Sequence, residues 1–352
     1  MLRQAKLLTL QGLKSLGAFD VLMRSNWRRR RLLILCYHGI SQDDEHLWNP
    51  NLYMSRETFR ARMELLKRSG CNVIPLERAV ELLLAEKLPE KSVVLTFDDG
   101  FSSLYSQAFP SLKEYGFPAT VYLTSYYSAF NKPVFDVMCS YLLWKGRATT
   151  LAGDEFNYEG TFDLQSEEGR AAAALAIRTY ARDKGMSALQ KDQLLTQLAE
   201  RLKVDYEAIL AKRLLHLLSP TEVAQLATEG VDFQLHTHRH CVPTERELFI
   251  SEVEENKAFI RKLTASSPSH FCYPSGVHGP QLFPFLREAS VVSGATCEMG
   301  LASRTSHVLA LPRLTDTSSL QPVEFEGWLC GVATFLPRRP IHDDEVIYPY
   351  YY

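Results

Sequence analysis

Short apolar runs alternate along this chain with longer stretches of helical spacing, and polar groups gather where the runs end. Leu32-Leu33-Ile34-Leu35-Cys36-Tyr37 reads as a buried strand that stops at His38-Gly39. Ser55 sits where a helix cap belongs; Phe59, Met63 and Leu66 follow at helical intervals, and Gly70 supplies the stop. Residues 71–75 predict a short strand and 76–85 a helix. Val93-Val94-Leu95-Thr96-Phe97 is the next strand, giving way to a loop at Asp98-Asp99-Gly100, a pair of residue types that also occurs in simple hairpin turns. A helix is expected over 103–115, kinked at Pro110 and stopped by Gly116, and a strand over 119–123. Strands and helices in this alternation build a parallel sheet or barrel.

The rhythm breaks after residue 128. Residues 171–184 and 190–202 are helical by composition, and no strand pattern of comparable strength occurs near them. We therefore read 129–218 as a largely helical insertion in a βα loop, the kind of segment that shapes specificity in barrels. Alternation resumes at Ser219-Pro220-Thr221-Glu222, a helix start with cap, proline and early acid. Strands are expected at 231–235, 270–273, 291–296 and 309–314, and helices at 245–263 and 282–289. The organisation expected is an N-terminal helical and basic segment over 1–31, a barrel over 32–128 and 219–335, the insertion, and an extended tail over 336–352.

At 352 residues the chain exceeds what one small core needs, in keeping with a barrel plus insertion. A net charge of −2 gives no general attraction to nucleic acid. Seven cysteines without a C-x-x-C pair argue against a disulfide framework or a cysteine zinc site and point to a reducing, cytoplasmic setting. No stretch approaches the ~18 apolar residues of a membrane span, and Gln4, Lys6, Gln11 and Lys14 interrupt any signal-peptide core. Leu2, Leu7, Leu10, Leu13 and Leu16 nevertheless fall at helix-like intervals ahead of Arg28-Arg29-Arg30-Arg31. Such a segment either packs on the protein, followed by a solvated charge run, or makes peripheral contact with the inner membrane face; the first is the expectation.

Three strand ends carry unusual polar groups: His38, Asp98 with Asp99, and His236 with His240. In a βα barrel they would converge on one face. His236 and His240 are four residues apart, so a coil there would bring both imidazoles to one side. Two imidazoles and one carboxylate leave open positions on a divalent cation, as a catalytic site requires.

Thr96-Phe97-Asp98-Asp99-Gly100 and His236-Thr237-His238-Arg239-His240 resemble the first two motifs of the polysaccharide deacetylase family, also called the NodB-homology or carbohydrate esterase 4 group. Phe271-Cys272-Tyr273-Pro274-Ser275-Gly276 resembles the third. The resemblance implies a distorted (β/α)7 barrel and a metal-dependent hydrolase that removes an N-acetyl group from an amino sugar or glycan. It implies Asp99, His236 and His240 as ligands of a divalent metal, zinc above others, Asp98 as general base, and the Ser275 N–H, within the Tyr273-Pro274-Ser275 segment, as oxyanion donor. The third motif departs from R-x-P-Y, since neither its arginine nor its tyrosine is present, and Arg313 is the candidate to tune Asp98 in the arginine's absence; a surface salt bridge is the other role for that residue. The tryptophan-bearing motif and the late Leu-x-His motif are not recognisable. Leu35-Cys36-Tyr37-His38-Gly39-Ile40 instead resembles the early segment of the permuted poly-N-acetylglucosamine deacetylase branch, which implies His38 as general acid; His278 and His307 are its rivals. The expected substrate is an N-acetylated sugar, glycan or lipid-linked glycan. The same motifs would also suit another non-peptide C–N hydrolase, a deformylase or cyclic-amide hydrolase, and a non-catalytic sugar-binding barrel is the third possibility.

Overall fold

In the computed structural model, which describes residues 2–336, the predicted alternation closes on itself. Seven parallel strands are Leu33–Tyr37 (β1), Ser92–Asp99 (β2), Thr120–Leu123 (β3), Asp232–Leu235 (β4), His270–Cys272 (β5), Ser293–Met299 (β6) and Leu311–Thr315 (β7). Each pairs with the next, and β7 returns to β1 with Leu35 opposite Leu314 and Cys36 opposite Thr315. The short strand Asn72–Val73 pairs with the start of β2. The principal helices are Leu2–Ser15 (α1), Arg56–Arg68 (α2), Leu76–Leu84 (α3), Phe109–Tyr115 (α4), Ser125–Phe130 (α5), Phe135–Lys145 (α6), Glu167–Asp183 (α7), Ala188–Arg201 (α8), Pro220–Thr228 (α9), Arg246–Thr264 (α10), Phe283–Glu288 (α11) and Pro322–Cys330 (α12). The fold is the (β/α)7 barrel with a helical insertion.

The strands read as continuous apolar runs because helices cover one face and the barrel interior the other. Every residue of β1 and β2 is buried. Tyr37 and Phe97 turn outward to Phe59 of α2, with ring centroids 5.3–5.9 Å apart, while Cys36, Thr96 and Asp98 alternate inward to the site. Local signals act as read: Ser55 Oγ accepts the Thr58 N–H, Ser219 and Glu222 form a capping box, and Gly116 closes α4 at φ 66.

Four local readings need correction. β2 runs on through Asp98 and Asp99, whose partners across the ladder are Tyr122 and Leu123, so both acids belong to the strand rather than to a loop. Pro110 does not kink a helix midway: a π turn, Leu104–Ala108, ends before it, and the proline lies in the first turn of α4, where no helical bond to its nitrogen is required. The 129–218 segment contains, besides α6 to α8, an antiparallel hairpin of Thr150–Ala152 with Thr161–Asp163, strands of three residues that leave no readable periodicity. Its helices gather an apolar cluster of their own, including Leu142, Ile177 and Leu198, and isolated bridges Phe101–Leu217 and Pro133–His216 tie it to the barrel. Finally, the basic run is not wholly solvated. Arg28 is fully buried and donates to the carbonyls of Leu329 (2.6 Å) and Arg31 (2.7 Å). α1 packs on α12 through Leu10, with Lys6 paired to Glu324 and Lys14 to Glu326, while Leu8, Leu16 and Val21 stay exposed. Among the described residues no helix is long and apolar enough to cross a membrane. The tail from Pro337 lies outside the described residues.

His270, at the start of β5, gives the barrel an acid-sensitive point. Its Nδ1 lies 2.7 Å from Ser293 Oγ, and burial pushes the imidazole pKa down to about 4. The unfolded chain, with an ordinary pKa of ~6.5, takes up the proton first, so stability present above that value is lost as the pH falls towards 4. The expected loss is on the order of 3 kcal/mol. Denaturant midpoints across this window should fall in the wild type and fall less in His270→Asn; parallel curves would remove His270 as the cause.

Candidate active site

The ends of β1, β2 and β4 place His38, Asp98 with Asp99, and His236 with His240 on one face of the barrel. Asp99 closes β2 at φ 65, a left-handed conformation that turns its carboxylate away from that of Asp98. Its Oδ1 is buried, 3.3 Å from His236 Nε2 and 3.1 Å from His240 Nε2, yet accepts no well-aligned hydrogen bond. One carboxylate oxygen and two imidazole nitrogens, all within 4.8 Å of one another, therefore face a common point.

The two histidines meet differently from expectation. No helix forms over 236–240; a tight turn with Thr237 at φ 62 and His240 at φ 58 brings the rings to 4.9 Å between centroids. Backbone strain of this kind gathers where surrounding contacts over-determine it. Thr237 Oγ1 accepts the Cys241 N–H at 3.0 Å. His236 donates Nδ1–H to the Cys272 carbonyl (2.9 Å), which leaves Nε2 turned to the site as an unprotonated ligand would be.

Beneath the turn lies α10, whose contribution the sequence reading missed. Asn256 accepts the His236 N–H (3.0 Å) and donates to the Leu123 carbonyl (2.8 Å) and Ser125 Oγ (2.9 Å). Glu252 accepts from the Arg239 N–H (2.7 Å) and guanidinium (2.6 Å). The available signal was Asn256 falling in line with Phe249, Val253 and Ile260 on the buried face.

Asp98 points into the barrel and is 2% exposed. Arg313, fully buried on β7, grips it with both arms: Nη1 donates to Oδ1 at 2.8 Å and Nη2 to Oδ2 at 2.7 Å. This is a buried bidentate pair, not a surface salt bridge. Nε of Arg313 donates to the Thr296 carbonyl (2.9 Å), fixing the fork. Cys36 and Cys272 present thiols to Asp98 Oδ2 at 3.4 and 3.3 Å, and burial holds both well above the usual thiol pKa, so they act as neutral donors. Cys272 stands where the third motif carries its arginine. A small sulfur there leaves room for a guanidinium arriving from β7 instead, 3.0 Å from the Cys272 sulfur. Burial opposes the charge on Asp98, but Arg313 overcomes it and keeps the carboxyl well below the ordinary range.

His38 is half-buried, with a ring nitrogen within 4.8 Å of the Asp98 carboxylate and the Cys36 sulfur. Its rivals lie elsewhere. His278 is held by the Gly276 carbonyl (2.8 Å) and Glu298 (3.3 Å). His307 stacks on Phe283 in the loop leading into β7, at the opposite end of the strands. Pro274 and Ser275 follow β5 in a kinked turn with Ser275 at φ 54, φ again positive. Tyr273 turns away from the opening: it is buried and its hydroxyl donates to the Leu309 carbonyl at 2.7 Å.

A polysaccharide deacetylase family model matches residues 85–140 and 161–291. The chain is 36% identical over 94 residues to Bacillus subtilis (strain 168) YxkH, a polysaccharide deacetylase by name, covering 26% of this chain and 32% of that one. It is 29% identical over 101 residues to the poly-beta-1,6-N-acetyl-D-glucosamine N-deacetylase of Escherichia coli (strain K12), covering 28% and 15%. The alignments thus span a third or less of these relatives' lengths. Among solved structures, the Streptococcus pyogenes deacetylase PplD in complex with acetate superposes with a TM-score of 0.55 over 84% of this chain and 96% of that one, at 19% identity, a likeness of fold.

Proposed function

Because the chain belongs to the polysaccharide deacetylase family, we propose that it hydrolyses the N-acetyl amide of an amino sugar within a glycan, releasing acetate and a free amine. The observation that carries this reading is the division of labour between adjacent carboxylates: Asp99 faces two imidazoles while Asp98 is clamped by a buried arginine. The donor set of Asp99, His236 and His240 fits a divalent metal, zinc in this reading, because a buried carboxylate oxygen without an aligned donor sits against two imidazole nitrogens. When bound, such an ion supplies acidification of a water and polarisation of the amide carbonyl.

The chain's own groups then divide the work. Asp98 accepts the proton of the attacking water; held at low pKa, it is ionised throughout the neutral range but is a weak base, and so needs an acidified partner. The Ser275 N–H is the oxyanion donor. His38, beside Asp98 and half-open to solvent, protonates the departing amine. A non-catalytic barrel gains nothing from the altered third motif, since Arg313 provides the missing guanidinium. Seven cysteines, all free, support a reducing compartment and hence a cytoplasmic sugar precursor or lipid-linked glycan as substrate.

The test pairs metal analysis of the purified protein with acetate release from N-acetylglucosamine oligomers before and after chelation. Near-stoichiometric metal with chelator-sensitive acetate release is expected. Absence of metal after reconstitution would overturn the ligand assignment, and metal without acetate would overturn the substrate. A further check concerns Asn256, which touches no candidate ligand atom but holds the His236 backbone. Asn256→Leu should weaken zinc binding by about 10–100-fold in calorimetric titration; unchanged affinity would remove it from the site.

A further inference from the structure

Where the insertion meets the barrel, a cavity of ≈ 230 Å³ opens, walled by Tyr126, Tyr127 and Phe130 of α5, Phe135 of α6, Lys191 of α8 and Arg239 of the histidine turn. It adjoins the candidate site through the backbone: the Tyr126 N–H donates to the His238 carbonyl at 2.8 Å, and Arg239 is the residue next to His240. The walls are aromatic faces in several orientations. Tyr126 meets Tyr127 edge-on at 5.2 Å and lies near-parallel to Phe130 at 6.4 Å. Such faces suit the apolar C–H side of a sugar ring.

The charges are uneven. Two of the cations in the wall are matched, Lys132 by Asp192 at 2.6 Å and Arg239 by Glu252 at 2.6 Å. Lys191 lies 5.7 Å over the Phe135 ring and makes no ion pair among the described residues; the buried Asp136 carboxyl near it is pushed up to about 6 by burial, remains mostly ionised at neutral pH and does not line the cavity. Lys191 is therefore the cation of the wall that no direct ion pair engages among the described residues, beside the aromatic faces. We propose that this cavity is a subsite for an acidic sugar: a glycan residue bearing one carboxylate or phosphate, seated on the Tyr126–Phe130 faces with its acid group at Lys191, while a neighbouring N-acetylated residue reaches the strand ends. The volume lies below the ~300 Å³ floor for drug-sized ligands and suits one ring, not several. The proposal rests on the deacetylase reading and gives the insertion a task, the selection of charged glycans.

The experiment uses the full chain and three tetramers of N-acetylglucosamine: neutral, carrying one phosphate monoester, and with one residue replaced by glucuronate. Binding is followed by calorimetry and turnover by acetate release. At low salt an acidic tetramer should bind about ten-fold tighter than the neutral one, and the preference should shrink as salt is added. Lys191→Glu should abolish that preference; Lys262→Glu, an exposed charge reversal on α10, should not. The acid that gains more identifies the group recognised. Equal affinity for all three tetramers, or a preference that survives Lys191→Glu, overturns the subsite. Acetate release without charge preference removes the subsite and keeps the deacetylase; tight, Lys191-dependent binding without acetate release keeps the subsite and removes the deacetylase.

Discussion

Asp98→Asn is expected to lower kcat by roughly 10²–10⁴-fold, the contribution of a positioned base, while zinc still binds at Asp99, His236 and His240. Asparagine keeps the shape and one acceptor oxygen for Arg313 but cannot take a proton at neutral pH. The change also strips the charge from half of a buried pair, so some loss of stability is expected alongside the loss of rate. Metal content and kcat measured on the same folded sample separate the two effects. Retained turnover would remove Asp98 as base, and loss of metal would move it into the ligand set.

Arg313→Met should be the most destabilising single change at the site. It leaves the buried Asp98 carboxylate without its cation, for which about 3–5 kcal/mol is the expected cost. The pH dependence should change sign. In the wild type the folded-state pKa of Asp98 lies below the ordinary carboxylate value, so the pairing stabilises the fold above about pH 4 and is lost as the pH falls through the depressed pKa. Without Arg313 burial acts alone and raises the carboxyl pKa, so the variant should lose stability as the pH rises and its acid limb of kcat/KM should move upward. Thermal midpoints and kcat/KM across about pH 4–8 would show both trends. The double variant Asp98→Asn/Arg313→Met, with no uncompensated charge, should recover part of the stability; no recovery would mean the two residues are not coupled as their geometry implies.

The barrel was legible because strands buried on both faces must be apolar from end to end, and caps such as Ser55 and Ser219 carry their own chemistry. The acids and histidines were legible because polar groups ending such runs have no packing reason to be there. What escaped reading depends on long-range contact or on backbone that side chains do not announce. Asp99, Thr237 and Ser275 take left-handed backbone without being glycines, although Gly100 and Gly276 follow two of them. Asn256 stands in line with buried apolar positions, but what it and Glu252 hold is unreadable until the turn above them is in place. Cys36 and Cys272 read as unpatterned cysteines, yet both meet Asp98 from opposite sides of the sequence. Arg313 was legible as a candidate; its bidentate grip was not, since it needs the space that a cysteine at position 272 leaves.

Because β7 returns to pair with β1, the circle of strands has no first member. His38 and Arg313 stand near opposite ends of the sequence, but the strands that carry them are adjacent, and both residues attend to the same carboxylate. A seam cut between any two strands would keep every neighbour relation in the wheel while reordering the text that encodes it. The order in which the strands are encoded is thus a matter to which the chemistry at the rim is indifferent. An early histidine and a late arginine can serve one centre as readily as two residues side by side.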